Sequence, residues 1–132
     1  MPITDLWQSF GPDEWADLAE RWLGERRGTG GGDAGETVVL MNFTAAPERQ
    51  WEFILAAVAA ASSDDELAHI AAGPIEHLLG FHGERWIARI EREAGTDCKF
   101  ARALTGVWQH LMTDAVWARV RALQAQVSDP LP

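Results

Sequence analysis

Tyrosine is absent from this chain of 132 residues, although it carries seven tryptophans. One cysteine, Cys98, leaves no internal disulfide framework and too few thiolates for a cysteine-rich zinc site. A lone thiol fits a reducing compartment, and the expected localisation is cytoplasmic. Lysine occurs once, at Lys99, and ten arginines supply the rest of the positive charge against 20 acidic residues. The net charge of −9 excludes a phosphate-backbone binder, which needs a basic footprint, so no nucleic-acid partner is expected. Long apolar runs are missing too. The longest, Phe53 to Ala61, has nine residues, against roughly 20 for a membrane-spanning helix. Met1-Pro2-Ile3-Thr4-Asp5 shows no basic segment followed by an apolar one, so neither a secretory signal nor a membrane anchor is read.

The charge that is present is unevenly placed. Residues 1–83 sum to −10 and the remainder to +1, which predicts an acidic field over the first part of the chain.

Helix punctuation recurs along the sequence. Pro12, Pro47 and Pro74 each precede carboxylates, as at a first helical turn where proline loses no hydrogen bond. Ser63-Asp64-Asp65-Glu66 matches a capping box, and Thr113 and Asp97 are further caps. Behind these starts run apolar stripes of helical period. They are Trp15, Leu18, Ala19, Trp22 and Leu23, then Trp51, Ile54, Leu55 and Val58, then Trp86, Ile87, Ile90 and Ala94. Phe100, Leu104, Val107, Trp108 and Leu111 predict a fourth helix, and Val116, Trp117, Val120, Leu123 and Val127 a fifth. Two shorter helices are expected over 64–72 and 74–79, divided at Gly73-Pro74. Thr37 to Phe43 is apolar without a clear period. The expected fold is all-α, a compact multi-helix bundle of antiparallel helical hairpins, HEAT-like in its stacking. Six of the tryptophans, all but Trp7, lie on these stripes and are expected to pack the core.

The expected organisation is an N-terminal helical segment over 1–23, a glycine-rich linker over 24–36, a helical domain over 37–127 and a tail over 128–132. The glycines lead to Glu36 rather than to Lys-Ser or Lys-Thr, and a helix rather than a strand precedes them. They therefore match neither a P-loop nor a dinucleotide fingerprint.

Few residues offer chemistry. His77 and His82 are five apart, which does not stack them on one helical face, and with His69 and His110 they form no recognisable metal set. No metal and no cofactor is expected. Cys98 follows its cap Asp97, and Lys99 and Arg102 would favour a thiolate, yet His110 lies three helical turns away. An inert, partly buried thiol is the expectation. Glu76 beside His77 could serve as a general acid or base, although a carboxylate three residues after Gly73 also suits a helix cap. Arg85, Arg89 and Arg92 share one side of their helix and form a candidate binding stripe, with Glu84, Glu91 and Glu93 beside them.

Pro47-Glu48 with Trp51 and Ile54, and above all Gly73-Pro74-Ile75-Glu76-x-Leu78-Leu79, form a pattern that His82-Gly83, Ile90-Glu91, Ala94, Asp97, Phe100 and Val107-Trp108 continue. On these residues, positions 47 to about 117 resemble a family of small bacterial helical domains of unknown function. His77 stands where that family often has an acid. The resemblance implies a helical fold and assigns no catalytic residue.

Two functions follow as expectations. The first is a non-enzymatic protein-binding module, of immunity or adaptor type, that meets a protein partner through its acidic surface. The alternative is a small hydrolase or transferase with a site near Glu76, His77 and His82.

Overall fold

Pro12 opens the first long helix with Asp13 and Glu14 in its first turn, and the chain stays helical to Arg27. The computed structural model describes residues 6–29 and 32–132. Helix α1 (Pro12–Arg27) ends at Gly28, whose φ of 77° is the left-handed conformation that glycine adopts without steric cost. Helices α2 (Ala34–Thr44) and α3 (Pro47–Ala60) follow, so the ambiguous run 37–43 is helical. Both ends of the expected linker 24–36 are thus helix. Glu25 of α1 accepts the N–H groups of Ala34 at 2.7 Å and Gly35 at 3.0 Å, which caps the first turn of α2.

The described chain divides into two compact units, residues 1–62 and residues 63–132. In the first, α1 packs against α3 and α2. The whole predicted stripe of α1 is buried, and Phe53 of α3 meets the rings of Trp15 and Trp22 edge-on at 6.1 and 5.5 Å. Trp7, which has no helical stripe, is buried as well. Its ring stacks on Trp15 at 6.1 Å while its N–H donates to the Thr44 hydroxyl at 2.9 Å.

In the second unit Ser63 caps α4 (Asp64–Ile70) by accepting the N–H of Glu66. Here the expected break at Gly73-Pro74 is overturned. A π-helical turn, Ala71–Ile75, carries the chain directly into α5 (Glu76–Thr96). Residues 71, 75 and 79 are all buried, and an α-helix repeating every four residues would drift by roughly 40° per step. The wider turn absorbs that drift and accommodates Pro74, whose ring crowds the preceding turn of an α-helix. Helix α5 is itself kinked at His82 (φ −135°, ψ 16°).

Asp97 caps α6 (Cys98–Leu104), accepting from Lys99 at 3.0 Å and Phe100 at 3.1 Å. This helix is shorter than its stripe predicts. It stops at Leu104, and residues 105–113 run irregularly to Thr113, which caps α7 (Asp114–Ala125). The Gln124 side chain supplies the alternative partners by donating to the carbonyls of Leu104 and Val107, both at 2.9 Å. The Thr105 hydroxyl bonds the Arg102 carbonyl at 2.6 Å and accepts the Leu131 N–H at 2.8 Å. Val107 is buried as expected, but Trp108 and Leu111 are not. Arginine–carboxylate pairs tie the unit: Arg119 to Glu91, from α7 to α5, and Arg102 to Asp64, from α6 to α4, and to Asp129 beyond α7. The fold is all-α: among the described residues there is no strand and no helix long and apolar enough to cross a membrane.

The tryptophan expectation holds for Trp15, Trp22, Trp51 and Trp86, which are buried; Trp117 is half-buried. Trp108 departs from it, with 74% of its surface exposed. Cys98 is exposed rather than partly buried, because it opens α6 on the solvent side while Phe100 takes the core position.

Candidate functional site

The second unit concentrates the unusual features where α5 begins. Glu76 is its first residue and is half-buried, but it caps no helix, since the π turn leaves no free N-terminus there. Instead its Oε2 accepts the backbone N–H of Trp108 at 3.1 Å. Burial raises the pKa of this carboxyl above the usual Glu value, outweighing the Trp108 N–H and the nearby His110, which act the other way.

Above Glu76 the irregular segment 105–113 lies directly on α5. A Cβ on Gly80 would fall 2.7 Å from the His110 carbonyl oxygen, and one on Gly83 would fall 3.0 Å from Val116. Only glycine at position 80 allows the two backbones to come this close. Gln109 braces the same segment, donating to the Met112 carbonyl at 3.2 Å and to Asp114 at 2.9 Å. Val107 and Met112 anchor it inward. Leu111 is held at φ 64°, a left-handed backbone that a leucine adopts only under constraint. The result is a fixed loop with large apolar groups in water: Trp108, Leu111 at 63% exposed and, from α5, Phe81 at 54%. His77 packs its ring on Phe81, with centroids 4.5 Å apart.

The sequence-predicted residues separate in this geometry. A cleft of about 250 Å³ lies between α5 and the loop, lined by Gly80, Phe81, His82, Arg85 and Leu111 among others. His82 faces it at the kink, whereas Glu76 and His77 are not among its lining residues. The carboxylate of Glu76 is brought to Trp108 and His110, not to His82. Arg85, Arg89 and Arg92 are all exposed, opposite the buried Trp86, Ile87 and Ile90, as their spacing predicts. Arg89 lies over the Trp86 ring at 5.2 Å, and Arg85 reaches the cleft. Among the described residues no group of three or more His, Cys, Asp or Glu side chains could hold a metal ion.

Trp108 and Leu111 escape sequence reasoning because their spacing fits a helical stripe. Two signals pointed elsewhere. Thr105-Gly106 is a helix stop, and Gly80 with Gly83 marks a helix face open to close approach.

Fold and site together define a small all-α domain that presents a pinned aromatic loop. The chain belongs to a family of unknown function (DUF6869), whose sequence pattern matches residues 34–128. That match takes in α2 to α7 and leaves α1 outside. No curated protein and no solved structure matches the chain.

Proposed function

We propose that the protein is a non-enzymatic binding module, of adaptor or immunity type, for a basic protein partner. The observation that carries this reading is Trp108, 74% exposed on a loop fixed by Glu76, Gln109 and the close approach to Gly80. Exposing an indole forfeits the burial that would stabilise the fold, and the bracing means that little conformational entropy is lost on contact. Tryptophans of this kind are the residues that dominate protein–protein affinity. The −10 sum over residues 1–83 adds attraction for a basic partner and makes association fall with salt.

The test is tagged purification from the native host at low salt, with mass spectrometry of what co-purifies. One basic protein should dominate with the native chain and be lost with Trp108→Ala, whose melting temperature should not fall. Recovery of nothing, or equal recovery with the variant, overturns the reading.

A hydrolase or transferase centred on Glu76 has one observation in its favour, the raised pKa of a carboxyl near His110. It predicts turnover of small ester or phosphate substrates that Glu76→Gln abolishes.

A further inference from the structure

Within residues 1–62, the outward faces of α1 and α3 enclose an open groove of about 600 Å³. Its α1 wall includes Ala16 and Glu20, and its α3 wall Glu52, Leu55, Ala56 and Ala59. The concavity follows from side-chain length, since the alanines are too short to fill the space between two packed helices. The floor is firm. Trp15 is buried beneath it, and its indole N–H donates to Glu52 Oε2 at 2.9 Å.

The rim is acidic. Glu20 and Glu52 border the apolar floor, and Asp13, Glu14 and Asp17 continue the charge along the exposed side of α1. Arg49 pairs with Glu52 and Arg21 with Asp17, while Arg27 approaches Glu20 at 3.6 Å. These three cations still leave an excess of carboxylate, with Asp13 and Glu14 in addition to the three acids they face. Each wall runs for nine residues, from Pro12 to Glu20 and from Glu52 to Ala60, or about 12 Å along a helix axis. That length suits about two turns of an opposing helix.

We propose that this groove binds an amphipathic helix from another protein, with an apolar ridge at i, i+3 or i+4, and i+7 flanked by Lys or Arg. The ridge enters between Ala16 and Ala56, and the flanking cations meet the carboxylate rim. A second copy of this chain fits poorly, because each copy carries a net charge of −9. The inference goes beyond the reading of the Trp108 loop and stands independently of it. Its α1 wall lies outside the residues of the family match and its α3 wall within them.

The probe is a fluorescein-labelled 18-residue helical peptide of leucine and lysine in that spacing, compared with a leucine and glutamate peptide of the same pattern. Fluorescence anisotropy should show salt-sensitive binding of the lysine peptide and at least tenfold weaker binding of the glutamate one. Ala59→Arg should weaken the lysine peptide at least tenfold with an unchanged melting temperature. Ala16→Arg, on the opposite wall, checks the same point should the first variant lose stability. Trp108→Ala should keep full peptide affinity, which separates this surface from the loop. Equal affinity for the two peptides, undiminished binding by both arginine variants, or no binding overturns the proposal. So does self-association of the native protein that Ala59→Arg abolishes, since the groove then belongs to a second copy.

Discussion

The carboxylate of Glu76 and the backbone N–H of Trp108 meet at 3.1 Å across 32 residues of sequence. A side chain placed where a helix cap is expected therefore clamps a distant loop. The bond satisfies a backbone donor in a segment that lacks helical partners, and it fixes the position of an exposed indole.

That clamp has a pH signature. The pKa of Glu76 is raised in the folded protein, chiefly by burial, so the folded state holds this proton more tightly than the unfolded one. Its contribution to stability is full below the unfolded pKa and is lost as pH rises through the folded pKa. Glu76→Gln keeps an oxygen for the Trp108 N–H and removes the buried charge. The variant should be at least as stable as the native protein at pH 7, and its advantage should vanish below about pH 4. Urea unfolding at the two pH values measures this, and a less stable variant at pH 7 contradicts it.

Gly80 tests the contact of helix and loop. Alanine there gains up to about 1 kcal/mol of helix propensity. Its Cβ, however, would stand 2.7 Å from a backbone oxygen that no side-chain rotation can move. Overpacking of this kind costs about 1–3 kcal/mol, so the clash wins and Gly80→Ala should lower stability. Chemical denaturation gives the value; a stabilised variant would mean that the loop does not lie on α5.

Leu111 carries backbone strain, and three residue types rank it. Asparagine tolerates the left-handed region, leucine less, and a β-branched residue least. Stability should therefore fall in the order Asn, Leu, Val, with steps of about 1 kcal/mol or less between the first two. Leu111→Asn should at the same time weaken partner binding, because it removes an apolar group from the exposed loop.

In residues 1–62 a large loss of stability should come from Phe53→Ala. This ring is fully buried and meets both Trp15 and Trp22. Removing it should cost about 3–5 kcal/mol, read as earlier loss of near-UV circular dichroism on heating.

Helix starts were legible because they are local. Ser63, Asp97 and Thr113 each accept a backbone N–H within three residues, Pro12 and Pro47 sit at a first turn where no N–H partner is needed, and each opens a helix as its sequence implies. Helix ends were harder. Phe100, Leu104 and Val107 bury whether the chain is helical or irregular beyond Leu104, so periodicity alone does not distinguish the two. What decides is Gln124, twenty residues on, which satisfies the carbonyls that a continuing helix would have used. The π turn was hidden for a related reason. Gly73-Pro74 reads as a boundary by local rules, and only the burial of both 71 and 75 requires the helix to pass through it. As for the site, the residue types Glu76 and His82 were visible in the sequence, but the bond from Glu76 to Trp108 was not, because it depends on where a loop 32 residues away lands.

The exposure of one indole gives the molecule an optical handle. With no tyrosine in the chain, its near-ultraviolet emission is tryptophan's alone. Trp7, Trp15, Trp22, Trp51 and Trp86 emit from apolar surroundings and Trp117 from a half-buried position, while Trp108 emits from water. The red edge of the spectrum therefore belongs largely to Trp108, and a neutral quencher such as acrylamide reaches that component first. Any molecule that covers the loop shifts the red edge to shorter wavelength and shields it, so occupancy of this surface can be followed without a label.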